Sequence, residues 1–80
     1  MPVVFREGGR RFFFYSNEGN PREPPHIHVR EAGHETKIWL RPKVAVAYND
    51  GFDARMVREL LKSVEENRER IEKAWGEFFG

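Results

Sequence analysis

The sequence predicts an α+β domain in which a small antiparallel sheet of four or five strands packs against one long C-terminal helix. Three observations predict it. Residues 1–49 are rich in Val, Ile, Phe and Tyr with a period near two, residues 53–79 repeat apolar side chains at spacings of three and four, and Asn49-Asp50-Gly51 separates the two halves. Eighty residues form one domain, 1–80, with room for one core and no second domain. The absence of cysteine excludes a disulfide framework, a zinc ribbon and a thiol nucleophile. Fourteen Lys plus Arg against thirteen Asp plus Glu leave a net charge of +1, so any basic patch must be local. The N-terminal Met1-Pro2-Val3-Val4-Phe5-Arg6 has no secretory pattern, and no window reaches the ~20 apolar residues of a membrane span. A cytoplasmic protein that does not enter a membrane is expected.

Each element has its own local cause. Val3 to Arg6 and Arg10 to Ser16 read as strands joined by Glu7-Gly8-Gly9, whose glycines suit a tight hairpin. The turn formers from Ser16 to Pro25 include three prolines, which block both helix and ladder and predict a constrained loop. His26-Ile27-His28-Val29-Arg30 and Glu35-Thr36-Lys37-Ile38-Trp39-Leu40 alternate polar and apolar residues around Ala32-Gly33-His34, predicting a second hairpin. Period two then places Ile27, Val29, Ile38 and Leu40 in the core and His26, His28, Arg30, Lys37 and Trp39 on the opposite face. Val44 to Tyr48 reads as a short fifth strand. The run Phe12-Phe13-Phe14-Tyr15 puts aromatics on both faces of its strand, so the face away from the helix is expected to be partly covered.

From Asp53, an N-cap residue, the stripe Val57, Leu60, Leu61, Val64, Ile71, Ala74, Trp75 and Phe78 predicts an amphipathic helix from Ala54 to about Phe78. Asn67-Arg68 interrupts that stripe and marks a site for a break. The mixed-sign run from Glu65 to Arg70 reads as a solvated helix face.

The densest reactive group is Glu23-Pro24-Pro25-His26-Ile27-His28-Val29. Imidazoles at i and i+2 of one strand share a face and suit either proton transfer or a metal pair. Acting on RNA, one histidine would take the proton of a 2′-hydroxyl and the other protonate the leaving oxygen, with Lys37 or Arg30 facing the phosphorane charge. His26, His28 and Lys37 are therefore the catalytic candidates. A metal pair needs a third ligand from Glu23, His34 or Glu35, none at a diagnostic spacing, so no metal site and no cofactor are assigned. The competing interpretation makes the histidines structural, either as a solvated strand face alternating with buried Ile27 and Val29 or with one imidazole anchoring the loop through a hydrogen bond. Tyr15, Arg30 and Trp39 are candidates for nucleic-acid or partner contact, as are Trp75 and Phe78 near the C-terminus. No phosphate-cradling glycine motif or serine nucleophile signature occurs.

Taken together, Arg11-Phe12-Phe13-Phe14-Tyr15-Ser16-Asn17-Glu18-Gly19, Glu23-Pro24-Pro25-His26-Ile27-His28-Val29, Lys37-Ile38-Trp39-Leu40 and the segment from Val64 to Gly80 resemble the domain of unknown function 4160 family of small prokaryotic proteins. Members are often encoded beside a second small protein of the domain of unknown function 2442 type, an arrangement that looks like a toxin and antitoxin pair. The segment Arg41 to Tyr48 departs from the family pattern, which usually has an acidic residue before the proline. The resemblance implies a two-protein module but carries no catalytic residues across. Two functional expectations follow. One is a toxin-like component acting on RNA, as a metal-independent ribonuclease, through the His-x-His face. The other is a non-enzymatic interaction module that binds a small cognate protein.

Overall fold

A computed structural model describes residues 2–17 and 23–80. Five strands, β1 (Val3–Glu7), β2 (Arg10–Phe13), β3 (His26–Glu31), β4 (His34–Trp39) and β5 (Ala45–Asp50), precede two helices, α1 (Ala54–Glu66) and α2 (Arg68–Phe79). The strands pair antiparallel in chain order as a single meander with β1 and β5 at its edges. The α+β class, the antiparallel sheet and the C-terminal helical half are as the sequence predicts. The middle of the expected loop, residues 18–22, lies outside the described residues.

Turn chemistry sets both hairpins. Gly8-Gly9 joins β1 to β2 in two residues, with Gly8 at φ 62°, and Ala32-Gly33 joins β3 to β4 with φ 50° and 83°. Two-residue turns with positive φ match the right-handed twist of the strands they connect. β2 is shorter than the aromatic run predicts. It ends at Phe13, although the Phe14 N–H still donates to the Pro2 carbonyl at 3.0 Å. The strand expected at Val44–Tyr48 forms as Ala45–Asp50, with a bulge that puts Val46 opposite Ile38 and Tyr48 opposite Lys37.

The single long helix is instead two helices. Asn67, at φ −109° and ψ 15°, leaves the helical region while its side-chain amide donates to the Ser63 carbonyl at 2.8 Å. Asparagine competes with the helix ladder in this way because its short side chain reaches nearby backbone groups. The break also changes the apolar phase. Ile71 and Trp75 are buried and Phe79 packs partly against the core, whereas Phe78, expected on the stripe, is 45% exposed. Asp53 caps α1 as predicted, its carboxylate accepting from the Met56 N–H at 2.8 Å.

One sheet face carries Phe5, Phe12, Ile27, Val29, Ile38 and Leu40 into a core closed by Leu60, Val64, Ile71 and Trp75. Phe5 and Phe12 stack with centroids 4.2 Å apart. Thr36, buried on the same face, gives its hydroxyl proton to the Tyr48 carbonyl at 2.6 Å and so costs the core no unpaired donor. Among the described residues no helix is long and apolar enough to cross a membrane.

Candidate functional site on the outer face of the sheet

The face away from the helices is read most easily as rows of directly opposed residues running across the strands. One row holds Phe13 of β2, His28 of β3, Lys37 of β4 and Tyr48 of β5. Beside it, Arg6 of β1, Arg11 of β2, Arg30 of β3, Glu35 of β4 and Asp50 of β5 form a second row. His26 and Trp39 are opposed at the start of β3. The period-two assignment of His26, His28, Arg30, Lys37 and Trp39 to one set of alternating positions agrees with this register.

Glu35 is the hub of the first two rows. Tyr15 Oη donates to its Oε1 and Tyr48 Oη to its Oε2, each at 2.7 Å, and His28 Nδ1 stands 3.4 Å from Oε2. Burial pushes the Glu35 carboxyl up, but the two phenol donors with the charges of His28 and Arg30 together outweigh it, leaving it below the usual carboxylate value. His28 is 3% exposed, stacked on Phe13 with centroids 5.6 Å apart and met edge-on by Tyr15 at 4.6 Å. This arrangement holds the imidazole in one orientation inside an aromatic cage. The sequence expectation that this face is partly covered is met by Tyr15 and His28 over the buried Phe13.

His26, a catalytic candidate in the sequence, is buried and not turned to solvent. It has no exposed surface, packs against Trp75 of α2 at 4.8 Å and Trp39 at 5.4 Å, and its Nδ1 lies 2.9 Å from the Pro24 carbonyl. This is the loop-anchoring interpretation realised, with an aromatic lid added by α2. The His26 and His28 rings meet edge to face at 5.2 Å. Lys37 Nζ pairs with Glu23 Oε1 at 2.7 Å and lies 4.4 Å from the Trp39 ring centroid. That committed ammonium leaves Glu23 turned to Lys37, and among the described residues no three His, Asp or Glu side chains gather where one metal ion would touch them all.

The remaining candidates separate by burial. Tyr15 and Trp39 are half-buried and Arg30 is exposed; Tyr15 meets His28, Trp39 meets His26, and Arg30 lies opposite Glu35. Trp75 is 4% exposed and belongs to the core, touching Phe14 at 5.2 Å and Phe79 at 4.3 Å between centroids, so it is not a docking side chain. Phe78 is surface, rimming a groove of about 340 Å³ with Val3, Phe14 and Ala74.

Sequence reasoning missed Arg6 and Tyr48 as parts of this face, and reached Glu35 only as a possible third metal ligand. The Gly8-Gly9 turn did contain the Arg6–Arg11 pairing, because a two-residue hairpin fixes its own register. The β2–β3 register has no such local signal, since a long connection separates those strands.

These features define a single-sheet α+β domain whose outer face holds a carboxylate, imidazole and phenol network. The chain belongs to the domain of unknown function family DUF4160, whose model matches residues 9–76. No curated protein and no solved structure matches it.

Proposed function

We propose that this protein is a non-enzymatic interaction module that takes up a strand of a small cognate protein along β5. The observation that supports this reading is the exposure of the β5 edge. Ala45 is half-buried and the other five residues are exposed, with Val46 at 37% and Tyr48 at 44%. An edge strand presents unpaired backbone donors and acceptors on its outer side, and an added strand satisfies them. Asp50 lies opposite Glu35 on the inner side, a like-charge pair that a cationic residue on an incoming strand would relieve. The bulge at Ala47 interrupts the β4–β5 ladder between Val46 and Tyr48.

Ribonuclease action by His26, His28 and Lys37 draws less support from this geometry. His26 is sealed under Trp75, His28 is caged, and Lys37 is neutralised by Glu23. The two readings part in one set of experiments. Co-expression with a small protein of the domain of unknown function 2442 type should give a complex that Val46→Lys and Ala47→Pro weaken without lowering the melting temperature. Full retention of the complex in both variants removes β5 from consideration. Growth arrest on inducing the chain alone, abolished by His26→Ala/His28→Ala in a variant that still melts cooperatively, would replace the binding reading with the toxin-like one.

A further inference from the structure

The row Arg6, Arg11, Arg30 places three arginines directly opposite one another on adjacent strands of the outer face. Arg6 and Arg30 are exposed and Arg11 is half-buried. Like charges directly opposite one another destabilise a sheet. The neighbouring Arg10, on the other face, shows the ordinary remedy, with Glu7 at 3.6 Å and Glu31 at 4.0 Å. Among the described residues no ion pair within 4.0 Å joins Arg6, Arg11 or Arg30, and only the far side of Arg30 meets an acidic neighbour in register, Glu35. Glu35 is itself occupied by Tyr15, Tyr48 and His28.

We propose that the Arg6–Arg11–Arg30 row is a phosphate-binding track for single-stranded nucleic acid, a ligand separate from the protein strand assigned to β5. Strands about 4.8 Å apart make the row roughly 10 Å long, and the acidic residues Glu35 and Asp50 end it on one side. A track this short suits a few successive phosphates of one chain. The adjacent row, Phe13, His28, Lys37 and Tyr48, carries rings and a single lysine in place of a second line of guanidiniums for another backbone. Guanidinium forks match phosphate oxygens in pairs, which Lys at these positions would not do.

The test is fluorescence anisotropy with labelled RNA and DNA oligonucleotides of one mixed sequence, titrated across a salt series. Three phosphate contacts on a single strand predict a log–log salt slope of about −2, so affinity falls roughly 20-fold between about 50 and 200 mM salt. Each of Arg6→Gln, Arg11→Gln and Arg30→Gln should reduce the slope by about 0.7, and the triple variant should lose the salt-dependent binding altogether. Arg55→Gln/Arg58→Gln/Lys62→Gln, of equal charge change on α1, should bind as wild type. The triple variant should melt no lower than wild type, because it removes mutual repulsion. Equal binding of RNA and DNA would assign the contacts to the phosphodiester backbone, and a preference for RNA would add a 2′-hydroxyl contact; both support the track. Wild-type affinity in the triple variant, or no binding by wild type at low salt, overturns it. Loss of self-association in the triple variant, seen by sedimentation in place of any loss of nucleic-acid binding, would also overturn it and make the row an interface between copies. None of these outcomes depends on β5, so the Val46→Lys complex and the salt slope fail or succeed separately.

Discussion

The Tyr15 and Tyr48 hydroxyls grip opposite oxygens of one carboxylate, each at 2.7 Å, so Glu35 ties the edge strand β5 to the segment that follows β2. The tie spans β3 and β4 on the outer face. A satisfied polar network of this kind gives this side of the sheet a defined arrangement.

Because the Glu35 carboxyl sits below its ordinary value of 4.5, the folded state holds the proton more weakly than the unfolded chain does. Its contribution to stability is therefore complete above about pH 4.5 and is lost as pH falls through the lower folded value. Glu35→Gln should be less stable than wild type near neutrality, with the gap closing under acid. Glu72, held low first by Arg41, titrates in both proteins and cancels from the difference. Urea denaturation from neutral to strongly acidic pH reads the gap, and parallel curves would reject the role given to Glu35.

Trp75→Ala should cost about 3–5 kcal/mol, since it opens a cavity between Phe14, Phe79 and His26. Phe78→Ala, three residues along the same helix, should cost under about 1 kcal/mol because nearly half of that ring is already in water. Equal losses in thermal unfolding would contradict the helix phase described for α2.

Ala32 holds φ at 50° in the β3–β4 turn, where a Cβ is unfavourable by roughly 1–2 kcal/mol. Ala32→Gly removes that strain while adding freedom to the unfolded chain, so a net gain of about 0.5–1 kcal/mol is expected. A drop in melting temperature would mean that the turn is not of the positive-φ type.

Gly51 works in the opposite sense. Its φ is 109° and a Cβ there would collide with the His34 ring. Gly51→Ala should cost more than about 1 kcal/mol, a fall of at least 4–8 °C in melting temperature for a domain of this size. An unchanged melt would show that the β5–α1 connection relaxes freely.

Asp53→Ala should cost about 0.5–2 kcal/mol by releasing the Met56 N–H, while Asp53→Asn, which keeps an acceptor, should cost much less. Equal losses in the two variants would assign the effect to charge and not to the cap.

What the sequence determined by itself is what short stretches of chain decide. The two hairpins follow from Gly8-Gly9 and Ala32-Gly33, the helix start from Asp53, the interruption from Asn67, and the core face of β3 and β4 from strict alternation, because turn geometry, capping and side-chain period are properties of neighbouring residues. Tertiary structure decided the rest. His26 and His28 look equivalent in sequence, yet Trp75 seals one while Glu35 and the tyrosines cage the other, and those partners come from distant segments. The arginine row likewise exists only once β2 and β3 take their register. That pairing is set by burying Phe12 with Val29 in the core, and a slip of one residue would put Arg11 and Arg30 on opposite faces.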